Sequence, residues 1–116
     1  MINAPVAYIS GPYRGATINE TFHNIEVARE AAEVYWKNGY WVFCPHLNSA
    51  LMDGIVPDET FLRADLWFMK ALLRPGSGVL VMLPRWVHSE GSKAEHSWAV
   101  ANNICIDYHD LEDKYL

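Results

Sequence analysis

Residues 78–103, GVLVMLPRWVHSEGSKAEHSWAVANN, decide how the rest of the chain is read. Gly78 to Leu83 is an almost unbroken apolar run without polar alternation, the pattern of a strand covered on both faces in a parallel sheet. Ser89, Glu90, Gly91 and Ser92 follow with turn chemistry, and Ala94, Trp98 and Ala101 then recur at helical spacing. Strand, loop and helix in that order belong to an open α/β sheet, whose ligands lie in the crevice at the carboxyl ends of the strands. Glu95, in the first turn of the predicted helix, would stand at the rim of that crevice. Ser92-Lys93-Ala94-Glu95 also has the form of a capping box, in which the carboxylate only reaches back to the helix start. The two roles are compatible, because a helix N-terminus favours the ionised carboxylate that a nucleophile needs.

The flanking sequence repeats the alternation. Pro5 to Ile9 (PVAYI) reads as a first strand, and Thr17-x-x-Glu20 is a second capping box opening a long helix that stops at Asn38-Gly39. Phe22, Ile25, Ala28, Ala32 and Tyr35 form its apolar stripe, widened by Ala31, Val34 and Trp36. Tyr40 to Cys44 is a second strand, ended by Pro45. Asp58 is placed to cap a helix from Glu59 to about Leu73, with Phe61, Leu62, Leu66, Met69 and Leu73 on its buried side. Ile104 to Ile106 makes a short last strand, and Asp110 to Leu116 a terminal helical turn. The order β-α-β-α-β-α-β predicts an α/β fold with a short parallel sheet of four to five strands and helices on both faces, in one domain over residues 1–116.

Composition bounds the function. The chain has 116 residues, half of them apolar, with five Trp, six Tyr and four Phe, enough for one packed core. Its formal net charge is −5 and its nine Lys and Arg are scattered, which argues against a nucleic-acid polymer as partner. No apolar run has the length of a membrane span, and the start MINAPVAYISG lacks the basic region and apolar core of a secretion signal, as expected for a cytoplasmic protein. Cys44 and Cys105 fall at predicted strand ends without nearby Cys or His ligands. They read as free, buried thiols, with no metal and no disulfide expected.

Three loops at one sheet edge would bring Arg14, His46 and Glu95 together. Ser10, Gly11, Pro12, Tyr13, Arg14 and Gly15 form a tight loop after the first strand, whose backbone can approach a ligand and whose one cation suits a phosphate or carboxylate. An ordinary surface turn with a solvated Arg fits the same residues. The loop is neither a dinucleotide fingerprint nor a P-loop. His46 opens a long connection, Pro45 to Pro57, and faces the crevice or serves as a hydrogen-bonded structural residue. Asp65 falls beside the apolar stripe of its helix, which is costly unless it is paired, as a boundary residue bonded to Arg63 or a backbone amide, or as a functional acid. Two carboxylates in one pocket are the minimal apparatus for breaking a glycosidic bond, with Tyr8 placed to hold Glu95. Tyr13, Trp86 and Trp98 would suit stacking on a base, or simply belong to the core.

Taken together, Tyr8 to Gly15 (YISGPYRG), the Asp65-Leu66 pair before the third strand, and Ser89-x-Gly91-x-x-x-Glu95 with Ala99 resemble the nucleoside 2-deoxyribosyltransferase superfamily, over about residues 6–107. The resemblance implies a flavodoxin-like fold, cleavage of a nucleoside or nucleotide N-glycosidic bond without a cofactor, and a homodimer or larger assembly whose neighbouring subunit helps close the pocket. It matches Glu95 to the nucleophile that forms a covalent ribosyl-enzyme intermediate, Asp65 to the acid that helps the base depart, and Tyr8 to the residue that orients the nucleophile. Ser89 stands where transferases carry an Asp, and Gly11-x-x-Arg14-Gly15 looks like the phosphate loop of the branch that hydrolyses 2′-deoxynucleoside 5′-monophosphates, although Pro12 replaces a Ser of that loop. The resemblance to that branch implies a nucleoside monophosphate substrate, with Ser89 and Gly91 beside the phosphate. The alternatives are a deoxyribosyl transferase, a non-catalytic nucleotide-binding module in which Glu95 only caps its helix, and a purely structural domain.

Overall fold

Val79–Met82 is a strand buried along its whole length, and the reason is its place in the sheet. The computed structural model describes residues 4–109. In it, four strands lie in the order β2-β1-β3-β4, every pair parallel: β1 is Val6–Ser10, β2 Trp41–Phe43, β3 Val79–Met82 and β4 Cys105–Tyr108. β1 and β3 are central, so both of their faces need cover, which is why neither shows polar alternation. Helix α1 (Ile18–Lys37) covers one face, and α3 (Asp58–Leu72) and α4 (Glu90–Ala101) the other. The result is a flavodoxin-like three-layer fold with a four-stranded sheet. No helix among the described residues is long and apolar enough to cross a membrane.

The two cores follow from strand alternation. Ala7, Ile9, Val79 and Val81 turn towards α1 and meet Val27, Ala28, Ala31, Ala32 and Tyr35. Tyr8, Leu80 and Met82 turn the other way, onto Met69, Leu73 and Ala99. Burying the large apolar side chains of each layer contributes about 1.5–3 kcal/mol apiece. Gly78 at the start of β3 has φ +112, and a Cβ there would come within 2.8 Å of the Val6 carbonyl oxygen, so the close β1–β3 approach requires glycine.

Several boundaries and faces differ from the sequence reading. The Thr17 capping box and the Asn38-Gly39 stop form as expected. The buried stripe of α1, however, is rotated towards Thr21, Asn24 and Val27, and Phe22, Val34 and Trp36 are exposed. The cause is polar: Thr21 and Asn24 are buried because they bond to the loop after β1. A short helix, α2 (Pro45–Asn48), occupies the start of the long connection. Pro57, not Asp58, is the N-cap of α3, and Leu62 lies on its exposed side. On α4 the buried positions are Ser92 and Ala99, not Ala94 and Ala101. Cys44 is buried and Cys105 is exposed, correcting the expectation of two buried thiols; both are free. The predicted turn at Asp110 to Leu116 lies outside the described residues.

Strand order locates the crevice. From β1 the chain first moves outward to β2 and then crosses to β3 on the opposite side of β1. The connections leaving β1 and β3 therefore diverge, opening a gap beyond Ser10 and Met82 where ligands of such sheets bind.

Candidate active site

Tyr8 and Ser10 are two residues apart on β1 and so project from the same face of the sheet, towards α4. Both hold Glu95. Ser10 Oγ donates to Glu95 Oε1 at 2.6 Å, and Tyr8 Oη donates to Oε2 at 2.8 Å. Tyr8 Oη also lies 3.0 Å from the main-chain carbonyl oxygen of Asp65, so a single hydroxyl bridges the helix carrying one acid to the side chain of the other. Burial pushes Glu95 up to about 7, the hydrogen bonds from Ser10 and Tyr8 pull against that shift, and nearby Asp65 adds to it. Burial also pushes Asp65 up to about 6. The Tyr8 phenol is driven upward by burial and then by Glu95, which keeps it a neutral donor.

Glu95 is not a helix cap. Helix α4 starts at Glu90, one turn earlier than the Ser92 reading, with Ser89 as N-cap; Ser89 Oγ accepts from the Ser92 N–H at 3.2 Å. That bond satisfies the Ser92 N–H, one of the free N–H groups of the first turn. Glu95 is thereby left in the second turn, with both oxygens turned to β1.

Glu95 and Asp65 line one cleft of about 570 Å³, within the range of small-molecule sites. The loop after β1 and His46 form one wall. Phe61, Leu62 and Asp65 of α3 form another, and Ser89, Gly91 and Glu95 of α4 the third. Tyr8, fully buried, stands behind Glu95 and outside the cleft. Ser10, read from sequence as a ligand contact, lines the cleft but is 2% exposed and donates to Glu95.

The rest of the loop is engaged from behind. Gly11 packs so tightly that a Cβ would come within 2.7 Å of Leu83 Cβ and Cδ1. His46 is buried; its Nε2 lies 3.1 Å from the Gly11 carbonyl and 2.9 Å from that of Pro12. Two acceptors there place the proton on Nε2, and burial lowers the imidazole pKa, so His46 is a neutral loop anchor. Gly15 donates its N–H to Thr21 Oγ1 at 3.0 Å, packs against Glu20 and does not line the cleft. Tyr13 lines the mouth. Its hydroxyl donates to Asp53 at 2.7 Å and accepts from the Leu51 N–H at 3.0 Å.

Arg14 also lies at the mouth, yet not as a free cation. It donates to Asp58 at 2.6 and 3.1 Å and to Asp53 at 3.0 Å; Arg14 holds the Asp58 carboxyl below its ordinary range, and the Tyr13 hydroxyl and then Arg14 do so for Asp53. Asp58, read as a helix cap, is instead a partner of Arg14. Arg63, also a cleft residue, has no ion pair with Asp65 among the described residues. Trp86 stacks on His96 with centroids 4.3 Å apart, and Trp98 packs on the second core, so neither faces the cleft. The cleft residues missed from sequence, chiefly Asp58, Phe61 and Leu62, gave no signal separate from the cap and apolar stripe that they imitate.

Among the described residues, no group of three or more His, Cys, Asp or Glu is arranged to hold a metal ion. What the site offers is a desolvated carboxylate with both oxygens fixed, a second carboxyl with a raised pKa, and a cleft above them. No curated protein matched the sequence. Residues 5–108, a span that holds all four strands and every cleft residue, match the model of the family described as Domain of unknown function (DUF4406), and the chain belongs to that family.

Proposed function

We infer that the cleft is the active site of an N-glycosidase of the nucleoside 2-deoxyribosyltransferase type, acting on a (deoxy)nucleoside 5′-monophosphate. The observation that carries this reading is Glu95: a partly buried carboxylate held at both oxygens by Ser10 and Tyr8, lining the same cleft as Asp65. In the reaction, one Glu95 oxygen attacks the anomeric carbon. A carbon–oxygen bond forms as the carbon–nitrogen bond breaks, and its electron pair leaves on the base, which takes the proton of Asp65. Water then attacks the same carbon, gives its proton to Asp65 and releases Glu95. With a second base in place of water, the same intermediate gives a transferase.

The loop after β1 and the α4 N-terminus with Ser89 would take the phosphate. Exposed Leu62 and Trp67 on α3 support a homodimer or larger assembly, and the substrate class suits the cytoplasm. The test is to incubate the protein with ribo- and deoxynucleoside monophosphates, with and without a second free base, and to look for released base by chromatography. A non-catalytic nucleotide-binding module would return the ligand unchanged.

The two acids set a pH dependence. Glu95 must be ionised to attack and Asp65 protonated to donate. Activity therefore falls at low pH as Glu95, at about 7, takes up its proton, and falls at high pH as Asp65, at about 6, loses its own. The two values lie close together, so the pH window in which both conditions are met is narrow. The expected kcat/KM profile is a narrow bell centred between the two values, with limbs that belong to the coupled pair. A plateau across that window would contradict the assignment.

Arg14 gives a second expectation. Asp53→Asn with Asp58→Asn removes two negative charges from the cleft mouth and frees the guanidinium. Affinity for a monophosphate, measured by titration calorimetry, should rise by roughly 3–10-fold, while affinity for the nucleoside stays nearly constant. Weaker binding of both ligands would show that the ion pairs serve to hold the mouth in shape.

A further inference from the structure

Three consecutive carbonyl oxygens of the loop after β1 are tied back to the scaffold. His46 takes those of Gly11 and Pro12, and Asn24 Nδ2, on α1, donates to that of Tyr13 at 3.0 Å. Asn24 is buried and is itself held, because Arg85 Nη2 donates to its Oδ1 at 2.9 Å. Arg85 is one of three non-glycine residues with positive φ among those described, at φ 65 and ψ 18, a conformation unfavourable for a side-chain-bearing residue. Its Nε is buried without a hydrogen-bond partner among the described residues. Neither Arg85 nor Asn24 lines the cleft. A strained backbone and an unsatisfied buried donor persist only where the surroundings hold them in place.

We propose that Asn24 and Arg85 are positioning residues that set the 10–15 loop against the anionic end of the ligand. The proposal rests on the reading of the cleft as a nucleotide site. A carbonyl oxygen carries partial negative charge, and three of them turned into the cleft would repel a phosphate; anion-binding loops present N–H groups instead. Tying the oxygens to donors behind the loop removes that repulsion before the ligand arrives. Arg85 also lies on the connection from β3 to α4, the helix of Glu95. One hydrogen-bond chain thus runs from that connection through Asn24 to the loop.

The experiment compares the full-length protein with its Asn24→Ala, Arg85→Gln, Arg85→Lys and double Asn24→Ala/Arg85→Gln variants. The ligands are the four 2′-deoxynucleoside 5′-monophosphates and their nucleosides, with hydrogen exchange of the Gly11, Tyr13, Arg14 and Gly15 amides measured in parallel. In both single variants, KM or Kd for the preferred monophosphate rises about 10-fold, the nucleoside value moves less than about twofold, and kcat stays within about threefold. Loop amides exchange faster, Arg85→Lys recovers part of the loss, and the double variant is no worse than the worse single one, as for two links of one chain. Parallel losses for monophosphate and nucleoside, unchanged loop exchange, or additive effects would overturn the proposal and leave both residues as fold supports. Should Asn24→Ala fail to fold, Arg85→Gln decides alone, since it keeps the Asn24–Tyr13 bond. If the wild-type protein releases no base, the glycosidase reading fails, while affinity and exchange still decide the positioning role. A wild type that binds no monophosphate more tightly than its nucleoside overturns it.

Discussion

Glu95→Gln is expected to lower base release by at least about 10³-fold, because the amide keeps the shape of the side chain and loses the nucleophilic oxygen. The same variant is expected to be more stable than the wild type. A free Glu titrates near 4.5 and Glu95 at about 7, so folding favours the protonated form. This contribution to stability is fully present below the unfolded value, falls as pH rises through about 7, and is absent above it. Glutamine is neutral throughout, so the variant should lack that part of the pH slope and gain up to about 3 kcal/mol over wild type at pH 8. Denaturant unfolding at pH 5 and pH 8 measures the difference. Loss of activity joined to a gain in stability is the signature of a carboxylate kept buried for chemistry. A variant that lost both would point to a structural Glu95.

Asp65→Asn carries the second large effect. Removing a general acid costs about 10²–10⁴-fold. The loss should depend on the leaving group, since a base that departs readily as an anion needs little protonation and one that departs poorly needs much. Comparing kcat/KM for natural substrates with that for a nucleotide bearing an activated leaving group separates the cases. The expected result is a loss that shrinks for the activated substrate, together with disappearance of the high-pH limb. A uniform loss across leaving groups would mean that Asp65 supports the cleft without moving a proton.

The sheet was legible because its central strands leave a local mark. Val79 to Met82 has no polar alternation, and the Thr17 and Gly39 signals bracket α1 by chemistry that acts within a few residues. The pairing of Tyr8 with Glu95, expected from the place of Tyr8 on the first strand and matched by the family resemblance, is found across 87 residues of chain. What stayed hidden depends on partners far away in sequence. Ser92 has the local form of an N-cap, yet in the fold Ser89 takes that place and Glu95 turns to β1. Asn24 leaves no local signal, because its partners, Tyr13 and Arg85, come from two other segments. Arg14 looked like a free cation, since nothing local announces that Asp53 and Asp58 fold back onto it.

The central claim is that Glu95 becomes bonded to the sugar during turnover. Mixing the protein with its preferred monophosphate, quenching in acid within the first turnovers and mapping the digested peptides by mass spectrometry tests it directly. The expected result is a sugar-phosphate mass increment on the peptide containing Glu95, lost on further incubation in water and absent from Glu95→Gln. Base release with no such increment, or with the increment on another residue, would contradict the account.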